Sequence, residues 1–387
     1  MKKIFWMIGI VLLLMNFIPS ICYAEDSVDT SEILQSQQDS LNISSFLKEV
    51  EKYTSSIYED IDVSELFNSA LTGSVNNEKL FKNVLSLLGE EIKSSITILG
   101  SIIIIIVIHS ILKSISEGLE NKSISQITYY VQYILIVTLI MTNFAQILDM
   151  IKDSIQNIVG FMDCLIPILM TLILTTGSIA SVSMLQPILL FIITFIGNFI
   201  NAIILPLVLV STALGIVSKV SDRVQVDKLS KFFKSSVVWI LGVVLTLFVG
   251  VVSLEGSLSS SVDGITAKTT KAAVSSFIPV VGKILGDAVD TVIGCSSILK
   301  NAVGIVGVIV IIGICIVPIV KLTILMAIYY LGAALCQPIA DEKIVKLLEQ
   351  MGDTFKVLLA ILCSVSVMFV IGVTLVINIS NSGLMYR

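Results

Sequence analysis

From Val182 to Ser218 the chain carries no Asp, Glu, Lys, Arg or His. One crossing of bilayer hydrocarbon takes roughly 20 apolar residues, so this single run is long enough to cross twice. Composition agrees with a membrane chain: 55% of the 387 residues are hydrophobic and 14% charged, which crowds the charges into a few segments. The expected class is an all-α polytopic helical membrane protein. The net charge of -5 comes mostly from one segment near the N-terminus, and nothing in it points to nucleic acid as a partner.

The first two dozen residues have the form of a secretory signal: Lys2 and Lys3, an apolar run from Ile4 to Ile18, Pro19, then Cys22-Tyr23-Ala24 before Glu25. Small residues at the end of such a run favour cleavage after Ala24, with Glu25 as the new N-terminus. The alternative is an uncleaved first membrane helix. A lipid-modified cysteine is disfavoured, because Ile21 stands where lipoprotein signals carry a small residue.

Residues 25–93 hold 14 acidic and 5 basic side chains. The first 20 or so are polar enough for a flexible leader. Beyond Ser45, Phe46, Val50, Tyr53 and Ile57 recur at helical spacing. Asp62-Val63-Ser64-Glu65 resembles a capping box opening a second helix, with Leu66, Phe67, Ala70 and Leu71 on one face and Gly73 as its stop. Leu80, Val84, Leu87 and Leu88 continue the pattern, so a small exported helical region with one apolar face is expected.

Apolar segments follow at 95–112, 127–148, 158–176, 184–200, 203–218, 237–254, 302–320, 322–337 and 358–377. The expected count is seven to nine crossings, because the runs 182–218 and 302–337 can each be a hairpin or one long tilted helix, with Asn198, Asn201, Pro206, Pro318 and Lys321 as break points. The domain plan is therefore a signal (1–24), an exported acidic helical region (25–93), membrane helices (94–218), a basic amphipathic loop (219–236), one membrane helix (237–254), extracytoplasmic interfacial or re-entrant helices (255–301), further membrane helices (302–377) and a tail (378–387).

Lys219, Arg223, Lys228, Lys231 and Lys234 carry the clearest orientation signal, since cytoplasmic loops are enriched in Lys and Arg. With Glu25 outside, an odd number of crossings must precede residue 219, and taking 182–218 as a hairpin gives five. Val220, Val224, Leu229, Phe232 and Phe233 lie among these bases, so the loop suits the anionic inner leaflet; it also suits an ordinary topogenic cluster. By parity 255–301 is extracytoplasmic. After Pro279, Val281, Leu285, Ala288, Val289 and Val292 form an apolar stripe with Lys283, Asp287 and Asp290 off it. Together with Asp263, Lys268, Lys271, Gly282 and Gly286, these residues make the expected partner or conduit surface.

Catalytic chemistry is sought without success. Gly282-Lys283 is followed by Ile284 and lacks the upstream glycine of a P-loop. There is no Gly-x-Ser-x-Gly and one histidine only, His109, so no enzyme, cofactor or metal is expected. Of the six cysteines, Cys22 would leave with the signal and only Cys295 falls in an exported loop; the rest read as small buried hydrophobes. Asp163 is the acid nearest mid-membrane, read either as functional or as sitting near a helix N-terminus at the outer interface. Lys321 reads as snorkelling from a hairpin turn.

Longer strings then narrow the class. Lys228-Leu229-Ser230-Lys231, Trp239 through Leu254, Asp263-Gly264-Ile265-Thr266-Ala267-Lys268-Thr269-Thr270-Lys271, Phe277 through Lys283, Asp287 through Val292, Leu299 through Gly304 and Gln337-Pro338-Ile339-Ala340-Asp341 resemble the stage III sporulation protein AE family of endospore-forming bacteria. The resemblance covers most of 219–377. It implies a subunit of a secretion-like channel or feeding apparatus in the mother-cell membrane facing the forespore, required for spore development. It also implies partner membrane proteins and a separate ATPase, with no catalytic residues to carry over. Two other classes remain open: a small-solute permease, for which no midplane polar site is evident, and an intramembrane enzyme.

Overall fold

A computed structural model of the chain describes residues 43–54, 63–72, 122–220, 226–277 and 281–385, with scattered positions between 89 and 111 and at 38. Within these ranges it describes no side chains for 54, 122–126, 128, 129, 132, 220, 259–290 and 379–385. Eight α-helices are set in order: α1 (Ile43–Thr54), α2 (Val63–Thr72), α3 (Lys122–Thr175), α4 (Ile179–Phe199), α5 (Leu205–Val220), α6 (Asp227–Phe277), α7 (Val281–Cys336) and α8 (Glu342–Met385). There is no strand among the described residues.

The long helices correct the expected count. Segments 127–148 and 158–176 are one helix, α3, of 54 residues, about 80 Å at 1.5 Å per residue. Segments 302–320 and 322–337 likewise belong to the single helix α7. Between α4 and α5 the chain does not reverse; it passes through one π-helical turn, Ile200–Ile204, where Leu205 N–H donates to Ile200 O. That wider turn sits immediately before Pro206, whose ring cannot donate and would otherwise crowd the preceding turn. Among the described residues, five helices are consequently long and apolar enough to cross a membrane: 133–175, 179–219, 227–258, 291–336 and 342–378. The expected 95–112 segment is helical at 103–108, and Ile103 packs beside Ile316, Val320 and Ile324 of α7.

Sequence explains why these helices run on. Pro167 lies inside α3 and Pro318 inside α7, and in lipid the lost hydrogen bond does not admit water as a substitute. Each leaves unpaired the carbonyl four residues before it, that of Asp163 or Ile314, and both helices continue because packing against their neighbours holds them. The Thr171 and Thr323 hydroxyls nearby donate to Pro167 O at 2.8 Å and Ile319 O at 2.7 Å, ordinary back-bonds that do not replace the lost ones. At Gly177 φ is +85°, the left-handed conformation that glycine alone adopts without strain, and there α3 folds back into α4.

The helices share one core. α7 is its axis: 83% of its most apolar window is buried, against 22% for α6. α8 packs along α7 and α6, α3 along α7 and α4, and α5 along α6. Close approach depends on small residues; at Gly307 of α7 a Cβ would sit 2.6 Å from Leu165 Cδ2 of α3. Side-chain contacts fix which ends coincide. Tyr133 Oη donates to Ile216 O at 2.9 Å, so α3 begins where α5 ends. Lys234 Nζ donates to Gln350 O at 3.2 Å, so α6 and α8 begin at that same end. The end of α5, the starts of α3 and α6 and the 337–341 connection therefore share one end of the bundle, and the 176–178 turn lies at the other.

Candidate functional site

Three polar features stand out on an otherwise apolar bundle. The first is the end where α5, α6 and α8 meet. Lys219 in the last turn of α5 and Asp227 in the first turn of α6 are 3.2 Å apart, and Lys231 Nζ reaches the other carboxylate oxygen at 2.7 Å. Lys219 at the end of α5 and Asp227 at the start of α6 each also suit the helix end they occupy. Beneath them Ser211 and Ser230 are buried and each hydroxyl donates to the other's carbonyl at 2.7 Å, locking α5 to α6. Gln350 of α8 donates to Thr212 O at 3.4 Å, and Tyr330 of α7 donates to Asp353 at 2.6 Å.

The basic 219–236 stretch is thus not a loop for most of its length. Lys228, Lys231 and Lys234 stand on the first turns of α6, Lys219 on α5, and Arg223 lies outside the described residues. Lys228 and Lys231 are exposed beside Leu229 and Phe232, the latter 62% exposed. A helix start carrying exposed bases and exposed apolar groups side by side has the make-up of a membrane-surface contact.

The second feature is the docking of α1 and α2. Ile43, Phe46 and Val50 of α1 and Val63, Phe67 and Ala70 of α2 are buried, against α3 and α7. Tyr53 meets Phe161 edge to face at 5.7 Å between ring centroids, with its hydroxyl over Gly160. Burial raises the phenol above its ordinary value. The apolar face read as a free exported surface is covered by the chain's own bundle. Ile57, Asp62, Gly73, Leu80, Val84, Leu87 and Leu88 lie outside the described residues.

The third feature was missed in sequence. Gln146, Asp149, Lys152, Asp153, Gln156 and Asn157 are exposed on α3, while Ile147, Ile151, Ile155 and Ile158 on its other face are buried. The isoleucines recur at three- and four-residue intervals through a stretch that, read as a break between segments, concealed them. Asp163 is also exposed, within α3 and twelve residues before its end, so no helix N-terminus accounts for it. Lys321 likewise stands inside α7, not at a hairpin turn. Lys300 of α7 is fully buried and donates to Ile377 O of α8 at 3.0 Å.

The expected partner surface divides between two helices. Asp263, Lys268 and Lys271 stand on the backbone of α6 beyond its apolar window, and Val281, Gly282, Lys283, Gly286, Asp287 and Asp290 on the first turns of α7. Both stretches are continuous with the long helices and form no separate re-entrant pair. The described side chains do not include theirs, and Pro279, Ala24, Glu25 and His109 lie outside the described residues. Cys295, expected in an exported loop, is buried on α7; it and the other described cysteines are free thiols.

Five long apolar helices, with charges gathered at one end and on one helix face, define a polytopic helical membrane protein. The family model for stage III sporulation protein AE matches residues 61–380. The chain is 31% identical over 319 residues to stage III sporulation protein AE of Bacillus subtilis (strain 168), covering 81% of this chain and 80% of that protein. It belongs to the stage III sporulation protein AE family. No solved structure matches it.

Proposed function

We propose that this chain is a membrane-embedded, non-enzymatic subunit of a sporulation-specific, secretion-like channel or feeding apparatus in the mother-cell membrane facing the forespore. Family membership over residues 61–380 carries the proposal. The architecture supports it: a bundle joined along α7 is a scaffold on which other membrane proteins can assemble. Work done on a cargo would come from a separate ATPase, in keeping with a sequence that lacks a phosphate-binding loop.

The proposed orientation rests on charge. Lys219, Lys228, Lys231 and Lys234 share one end with Lys343 and Lys346 at the start of α8, which the distribution of Lys and Arg assigns to the cytoplasm. With α3 and the α4–α5 pair each crossing once, the crossings before residue 219 fall from five to three when 95–112 is included. Three is also odd, so an N-terminus outside remains consistent with that end being cytoplasmic. The outer ends of α6 and α7, with Asp263, Lys268, Lys271, Val281, Gly282, Lys283, Gly286, Asp287 and Asp290, would then meet partners in the space between the two cells.

Cross-linking followed by affinity capture from engulfing cells tests the proposal. The expected result is co-isolation with other membrane proteins made during sporulation, lost together with spore formation when Val281 and Gly282 are replaced by charged residues but membrane insertion persists. Capture of the chain alone, together with unaided solute movement in proteoliposomes, would overturn it in favour of a permease.

A further inference from the structure

The outward face of α3 is built the wrong way round for lipid. Gln146, Asp149, Lys152, Asp153, Gln156, Asn157 and Asp163 are exposed along it, a band of about 26 Å at the helical rise. Outside that band the same helix exposes apolar groups again: Ile134 and Leu135 before it, Leu174 after it.

Contacts set the depth of the band. Just before it Phe144 meets Phe355 of α8 at 6.3 Å between ring centroids, and just after it Leu165 lies against Gly307 of α7. Beyond Phe355, α8 has no charged residue from Val357 to Ile371. About three-quarters of the way along, Val159 touches Gly197 of α4, where the exposed groups are Phe191 and Phe195. α6, the other outward helix, shows Trp239, Leu247 and Leu254 to its surroundings. Lipid is suited to α4 and α6, whereas charged and amide side chains at membrane depth require water or protein partners.

We propose that the Gln146–Asp163 face of α3 lines a water-filled path through the membrane, closed by the same face of further copies of this chain. One helix face covers only a sector of such a wall, and repetition about an axis along the membrane normal completes it. Asp149, Lys152 and Asp153 place both signs within two turns, so neighbouring copies can set a base against an acid across the wall. The path suits hydrated polar solutes and has no apolar seat for a lipid-like one. The inference rests on the conduit reading above and adds the lining to it.

The test is cysteine accessibility in the full-length chain in membranes isolated from sporulating cells, with native cysteines replaced by alanine and single cysteines introduced by Gln146→Cys, Asp153→Cys and Asn157→Cys. A small charged methanethiosulfonate should label all three, while a bulky polymer-linked maleimide should not. Leu247→Cys, facing lipid, and Ile155→Cys, in the core, should resist both. A bismaleimide should join two differently tagged copies through Asp153→Cys. Labelling by both reagents would place the band outside the bilayer, labelling by neither would show it covered, and absence of a joined pair would rule out closure by copies; each result overturns the inference. Spore formation and partner capture are read in the same strains. Unlabelled variants that still sporulate and capture partners sink the lining alone, and labelled variants that capture no partner sink the conduit reading alone.

Discussion

At the scale of the residue, contacts made by very small groups decide how closely the helices meet. Gly307 lets α7 approach α3 until Leu165 fills the space a Cβ would take. Gly307→Leu should destabilise the bundle by about 1–3 kcal/mol, the usual cost of overpacking, and lower the unfolding temperature in detergent. Adding Leu165→Ala should restore part of the loss, because the two side chains contest one volume; simple additivity would show that they do not meet. Ser211 and Ser230 make a similar point with hydroxyls. Ser211→Val should separate α5 from α6 at a similar cost, seen as faster hydrogen exchange at the start of α6, and Asp227→Asn should cost about 1–2 kcal/mol, because the Lys219–Asp227 hydrogen bond is partly buried and charge-assisted.

At the scale of the element, the apolar blocks were legible because each is long enough to cross alone, and α1 and α2 because Phe46, Val50 and Phe67 recur at helical spacing. The continuity of α3 was not, because Asp149, Lys152 and Asp153 resemble a loop when hydropathy is averaged along the chain. The Ile147, Ile151, Ile155 and Ile158 series carried the answer, since a loop has no reason to keep a helical period. Asp153→Pro should therefore cost about 3 kcal/mol or more, as an interior helix proline does, and abolish spore formation where Asp153→Ala keeps the fold. Tolerance of the proline would return 149–157 to a loop. What covers the apolar face of α1 was equally hidden, because Tyr53 and Phe161 lie far apart in sequence. Tyr53→Ala should weaken that docking by about 1–3 kcal/mol for a half-buried aromatic, read as faster hydrogen exchange in α1 with α7 unchanged.

At the scale of the whole molecule, composition and the uncharged 182–218 run settled the class, and the strings from Lys228 to Asp341 settled the family, while the number of crossings depended on tertiary contacts that periodicity does not encode. Tyr133 with Ile216 and Lys234 with Gln350 bring the starts of α3, α6 and α8 to one end. We propose a bundle in which each long helix crosses once, with the 337–341 connection on the cytoplasmic side and the end of α8 outside. Its most direct test is labelling of Gln337→Cys and Asn378→Cys, in a background without native cysteines, by a membrane-impermeant maleimide applied to intact vegetative cells made to express the chain, where the outer side is open to the medium. Labelling of Asn378→Cys in intact cells, and of Gln337→Cys only after the membrane is opened, is the predicted result; labelling of Gln337→Cys from outside would contradict it.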